Sequence, residues 1–149
     1  MKGKLIWSIF WALIVVFIVL IISILATGER WCLSLWGFYI FGAAFFLLGA
    51  ALIFLTVKEK VGGMSKKFLI LTGASAVGLP VFIALHNIVY ALLTLWFGED
   101  FWGASGDEPV FFILATMVCP IAFLVGAIGS IVLRVKKSRT EKKLASSPQ

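Results

Sequence analysis

Apolar positions dominate the chain in four long, nearly unbroken runs, at 5–26, 33–57, 68–97 and 110–135. Each run has at least 22 residues and holds no Asp, Glu, Lys or Arg, apart from Arg134 in the last turn of the fourth. About 20 apolar residues rising 1.5 Å each cover roughly 30 Å of hydrocarbon, so every run predicts a membrane-crossing helix. The intervening connections are too short to hold a soluble domain. The expected fold is therefore all-α: a polytopic membrane protein, an antiparallel four-helix transmembrane bundle over 1–135, followed by a polar tail at 136–149.

Composition strengthens that reading. The chain is 62% hydrophobic and 13% charged, with a mean hydropathy of +1.10, whereas soluble domains are about half apolar and a quarter charged. Lys2 and Lys4 ahead of the first run resemble the start of a secretory signal. The run is longer than a signal core and three further spans follow, so it is read as a retained helix.

Charge orients the helices. Lys and Arg number two before the first run, one (Arg30) in the first connection, four (Lys58, Lys60, Lys66, Lys67) in the second, none in the third and six from Arg134 onward. Basic residues concentrate on the cytoplasmic side, so both termini and the second connection are expected inside a cell or plasma membrane, and the first and third connections outside. Tryptophans agree, with Trp7 and Trp11 toward the inner interface and Trp31, Trp36, Trp96 and Trp102 toward the outer one.

Local signals mark the ends of the runs. Gly28 and Gly98 suit positions just past a helix, where positive φ is often needed. Ser65 is placed to cap the third helix, and Ser105 and Glu108 have capping-box spacing before Pro109. The tail "KKSRTEKKLASSPQ" lacks an apolar face and is expected to be disordered. Its basic residues would draw anionic lipid headgroups, each contributing about 1 kcal/mol near the surface.

Apolar side chains gain little by leaving lipid for a protein interior, so helix association depends on close backbone approach and interhelical hydrogen bonds. Small residues suited to that approach are Gly42 and Gly49 in the second run, Gly73 and Gly78 in the third, and Gly126 and Gly129 in the fourth. The first run is uniformly bulky and is expected at the lipid-facing edge. Pro80 and Pro120, inside the third and fourth runs, each remove an amide donor and predict a kink or irregular backbone.

At about 100° per residue, Thr72, Ser75, His86, Asn87, Tyr90 and Thr94 fall within roughly 120° of the third helix. Thr116, Cys119 and Ser130 gather similarly on the fourth. The two sets form a candidate polar seam between those helices. His86, the single histidine, lies 19 residues past Lys67, about 28 Å along the axis, near the outer edge of the hydrocarbon. Two readings follow: a polar pin between helices, or a proton- or ligand-handling group, since ionisable residues within membranes are costly and often functional.

Catalytic signatures are sparse. One histidine in the chain does not make a bis-histidine haem site, and no metal or cofactor is expected. Cys32 and Cys119 differ in depth by about 15 Å, too far for a disulfide, and there is no Cys-x-x-Cys. "GGMSKK" lacks the Gly-Lys-Ser/Thr ending of a phosphate loop. Nucleic-acid binding would need a folded or aromatic-bearing basic surface that is missing. Small multidrug-resistance transporters also have four spans, but they rely on a carboxylate inside the first, and the 5–26 run has none. The expected role is non-catalytic: an interaction, assembly or accessory subunit working with another membrane protein or a second copy of itself. The alternative is a small-solute or ion transporter using the polar seam, and a third reading is a membrane enzyme or cofactor carrier centred on His86.

Overall fold

The computed structural model describes residues 2–25, 35–98, 101–102 and 108–145, with side chains described over 3–22, 40–98, 101–102 and 108–144. Four long helices account for nearly all of this: α1 (Lys2–Leu25), α2 (Leu35–Lys58), α3 (Gly63–Phe97) and α4. The last begins as Pro109–Ile113, passes through a π-helical turn at Leu114–Val118 and continues as Cys119–Ala145. There is no strand among the described residues.

All four helices are long and apolar enough to cross a membrane. At most 28% of any of these apolar windows is buried inside the protein. Leu47, Leu95 and Ile128 are 65%, 80% and 60% exposed, and many similar side chains share that condition. An apolar surface this continuous is unusual for a soluble monomer and fits a membrane-embedded helical protein.

Packing centres on α3, which lies between α2 and α4. Glycines bring the backbones together. A methyl group built on Gly49 would come within 2.9 Å of the Gly73 carbonyl oxygen, and one on Gly73 within 2.9 Å of the Gly49 carbonyl oxygen. On the other side of α3, a methyl on Gly126 would lie 2.5 Å from Thr72 Oγ1, and one on Gly129 2.5 Å from the Phe68 ring. Gly78 faces Cys119, whose Sγ would be 3.2 Å from the added carbon. Gly42 shares a face with Gly49, since seven residues nearly complete two turns, yet no described atom lies within 4 Å of a methyl placed there. Helices cross at an angle, so a contact tight at one glycine opens two turns away.

The first helix sits at the edge as expected, packed on α2 while α2, α3 and α4 make the closer contacts, and it turns one face inward. Ile6, Phe10, Leu13, Phe17 and Leu20 are all buried, at spacings of three and four residues that form one stripe. Phe17 stacks on Phe123 of α4 with ring centroids 4.3 Å apart, and Phe45 of α2 completes the cluster at 5.5 Å from Phe123. Without small residues, α1 stands further out, and large rings fill the distance.

Two expectations are corrected. Gly62, not Ser65, occupies the N-cap of α3, without a side-chain cap, and Ser65 lies inside the helix. The basic tail continues α4 as helix to Ala145. Extending an established helix carries no nucleation cost, and Lys, Arg, Glu, Leu and Ala all favour propagation. The irregular backbone expected at Pro120 is present as the π turn just before it, and α3 runs through Pro80 as one helix. Gly98 ends α3 as expected, with φ 85° and its amide bonded to the Thr94 carbonyl at 2.9 Å. Gly28, Trp31, Cys32 and Ser105 lie outside the described residues, as do the tail residues 146–149 and the side chain of Trp36.

Candidate functional site

His86 meets Glu108 where α4 begins. Glu108 is the N-cap of α4, and Pro109 at the first helical position has no amide to satisfy. The first amides of a helix have no partner within it, and the Glu108 carboxylate takes two of them. Val110 N donates to Oε1 at 2.8 Å and Phe111 N donates to Oε2 at 3.0 Å. The positive end of the helix dipole favours a carboxylate at this position.

His86 Nδ1 lies 3.0 Å from the Glu108 carbonyl oxygen and 3.3 Å from Oε2. A backbone carbonyl only accepts, so Nδ1 carries the proton and donates to it, with Oε2 beside the same nitrogen. Both side chains are largely buried, His86 at 16% and Glu108 at 7% exposure. The ring of Phe112 covers the imidazole at 5.7 Å between centroids. One ring nitrogen thus joins the third helix to both the main chain and the side chain that start the fourth.

This junction lies eleven residues before the end of α3, so about 16 Å of helix extends past it. The chain returns along that extension. Phe101 stacks on Phe97 at 5.0 Å. Trp102 stacks on Tyr90 at 5.6 Å and donates its indole N–H to Thr94 Oγ1 at 3.0 Å. The segment's described residues Phe101, Trp102 and Glu108 thus meet Phe97, then Thr94 and Tyr90, and finally His86. Glu108 and Trp102 were therefore findable as partners: a connection of only eleven residues, 98–108, has to lie against the helix it leaves. What pattern alone does not supply is how far down α3 the connection runs.

The remaining seam residues do not gather at this junction. Thr72 and Ser75 are buried, Thr72 beside Gly126 of α4, and both bond their own helix, at 2.9 Å to the Phe68 carbonyl and 2.8 Å to the Leu71 carbonyl. Asn87 is exposed and donates to the Ile83 carbonyl at 2.8 Å. Consecutive residues differ by about 100°, so with His86 turned to Glu108 its neighbour turns away. Thr116 is also exposed, bonding the Phe112 carbonyl at 2.7 Å. It sits within the π turn, whose added residue changes the helical phase, while Cys119 and Ser130 beyond it are buried. Cys119 is a free thiol. The hydroxyls of Thr56 and Ser130 are buried without a hydrogen-bond partner among the described residues.

At the Phe68 and Thr72 levels the α3–α4 contact is closed by Gly129 and Gly126, with no room for a methyl group at either, and further along α3 Gly78 meets Cys119. Among the described residues, no three His, Cys, Asp or Glu side chains are grouped so as to hold a metal ion. The arrangement is a buried ionisable pair at one end of a tightly packed helix interface. No protein-family model, curated protein or solved structure matches the chain. The class defined by four apolar helices of this length is that of multi-pass helical membrane proteins.

Proposed function

We propose that this protein is a small multi-pass subunit or assembly partner of another membrane component, without catalysis of its own. The helices are antiparallel, and both termini face the cytoplasm across the cell or plasma membrane. The distribution of Lys and Arg supports that orientation, alternating without exception across the five non-membrane segments. The bilayer and its anionic headgroups are its constant partners, the latter through the basic end of α4.

One observation carries the non-transport reading. The hydroxyls of Thr72 and Ser75 bond their own helix, and glycine contacts bring α3 and α4 together tightly at the Phe68 and Thr72 levels. A transporter needs a continuous polar path that water can enter, and an interaction protein needs only pinned contacts. The His86–Glu108 pair is the observation that favours transport or proton handling instead, because two ionisable groups largely buried near a membrane boundary are costly. Purification in mild detergent followed by mass spectrometry separates the readings. A stoichiometric protein partner is the expected result. A co-purifying small solute with no protein partner would put the transporter first. Orientation is tested with single cysteines at Ser65 and Ser105 in a chain lacking Cys32 and Cys119. An impermeant thiol reagent applied to intact cells should label only position 105.

A further inference from the structure

We infer that the groove between α1 and the basic end of α4 is a binding site for one anionic phospholipid, its phosphate held by Arg134, Arg139 and Lys142. The groove measures about 460 Å³. Trp7 and Trp11 of α1 form one wall. The other is a stripe of α4 in which Ile131, Arg134, Ser138 and Lys142 follow at helical spacings of three and four, flanked by Val135 and Arg139. The stripe changes character along its length: Ile131 lies toward the membrane-spanning part, Arg134 and Val135 at the boundary, and Arg139 and Lys142 toward the polar end. A phospholipid has the same polarity, with acyl chains leading to a phosphate.

Depth agrees with this occupant. Arg134 is the first charge after the 110–133 apolar stretch, which at 1.5 Å per residue spans the hydrocarbon and brings Arg134 to headgroup level. Tryptophans favour that level too. The Arg134 guanidinium lies 3.9 Å from the centroid of the Trp7 ring. Stacking engages the face of the guanidinium and leaves the N–H groups around its edge to meet phosphate oxygens. Trp7 therefore holds the cation in place before any lipid arrives. Glu141, the one acidic residue of the helical tail, does not line the groove. An adjoining groove of about 490 Å³ is lined by α4 alone, including Lys136 and Lys143, and lacks the aromatic wall.

This site deepens, and rests on, the general attraction of the basic tail for anionic headgroups proposed above. The test uses the full chain reconstituted in vesicles of phosphatidylcholine and phosphatidylglycerol, extracted in mild detergent, with retained lipid identified by native mass spectrometry. One variant combines Arg134→Gln, Arg139→Gln and Lys142→Gln. A control of equal net charge combines Lys136→Gln, Lys137→Gln and Lys143→Gln. Wild type and control should retain one phosphatidylglycerol, and the groove variant should lose it, with affinity down on the order of 100-fold for three basic groups. Equal loss in the two variants would overturn the groove and leave only diffuse attraction. Retention by both would also overturn it, and equal retention of phosphatidylcholine by wild type would remove the general attraction as well. A measurement that needs no charge variant uses brominated lipid. Brominated phosphatidylglycerol should quench wild-type tryptophan fluorescence more than brominated phosphatidylcholine does, and the excess should vanish when Trp7→Phe and Trp11→Phe are combined. No excess quenching in wild type overturns the site.

Discussion

Within α3, polar side chains at 72–75 and at 86–94 are put to different uses. In the first group, Thr72 and Ser75 are buried and turn back to carbonyls of their own helix, while Gly126 and Gly129 of α4 press against Thr72 and Phe68. In the second, His86 and Thr94 bond to Glu108 and Trp102, residues that come later in the chain. The first group holds helices together by letting backbones approach; the second ties a connection and a helix start to a protruding helix end. A membrane-embedded hydroxyl that bonds its own helix needs no partner and so discloses no contact. A histidine has no such local acceptor and must find one elsewhere. The difference predicts a gradient of mutational effects, steepest at the glycine contacts and nearly flat at the self-satisfied side chains.

The largest effect is expected at Gly126. Its added methyl would be 2.5 Å from Thr72 Oγ1 and 2.8 Å from the Thr72 backbone nitrogen, and backbone does not move aside as a side-chain tip does. Gly126→Ala should cost about 1–3 kcal/mol, and Gly126→Leu should prevent α3 and α4 from closing. Thermal unfolding in detergent measures both, with Gly42→Ala, which meets no described atom, as the unchanged control. Equal sensitivity at positions 42 and 126 would mean that the helices do not meet where the glycines imply.

Much of this architecture was legible in advance. The four helices follow from run length, and the α3–α4 contact follows from small residues on facing helices. The role of α1 was not, because a bulky helix reads the same whether its rings face lipid or, as Phe10 and Phe17 do, the interior. In a membrane protein both faces are apolar, so hydrophobicity loses the power to tell inside from outside that it has in water. His86 stood out at once as the single histidine. Its partner did not, because Glu108 is 22 residues away and its spacing from Ser105 pointed only to the start of its own helix. The inward positions of Cys119 and Ser130 and the outward position of Thr116 depend on a π turn for which Pro120 is the only visible cause.

Next in size is Glu108. Glu108→Ala removes the acceptor of two α4 amides and the carboxylate beside His86 Nδ1 together, at a cost of about 2 kcal/mol. Glu108→Gln retains an oxygen for the amides and should lose less than half as much. The same unfolding assay ranks the two, and a Gln variant as damaging as Ala would show that the negative charge, not the cap geometry, holds the junction.

His86→Leu should cost about 1 kcal/mol, the scale of interhelical hydrogen bonds in lipid. It leaves the cap of α4 in place, so its effect should be smaller than that of Glu108→Ala, and combining it with Glu108→Ala should add little further loss. Full additivity would show that the two side chains do not depend on each other. His86→Asn keeps polarity and removes titration. If it leaves the protein folded and abundant but abolishes the cellular phenotype of the wild type, the pair handles protons or a ligand, and the transport reading displaces the interaction reading.

The smallest effects belong to Asn87 and Thr116, and they test the other end of the gradient. Each side chain is exposed and donates to a carbonyl four residues earlier, an oxygen with a second lone pair beyond what the helix backbone uses. Removing the donor therefore leaves no group stranded. An exposed polar side chain at this depth gains nothing from lipid, so Asn87→Leu and Thr116→Val should change stability by no more than about 0.5 kcal/mol, with any change tending toward a more stable protein. Polar residues kept on an outward face are then without a stabilising purpose within this chain, and that is where the interaction proposal is most exposed to test. Retained stability together with loss of the co-purifying partner would assign Asn87 or Thr116 to the contact surface. Lost stability greater than 1 kcal/mol would instead mean that these side chains bind within the chain, and the contrast between the two groups along α3 would not extend to its outward face.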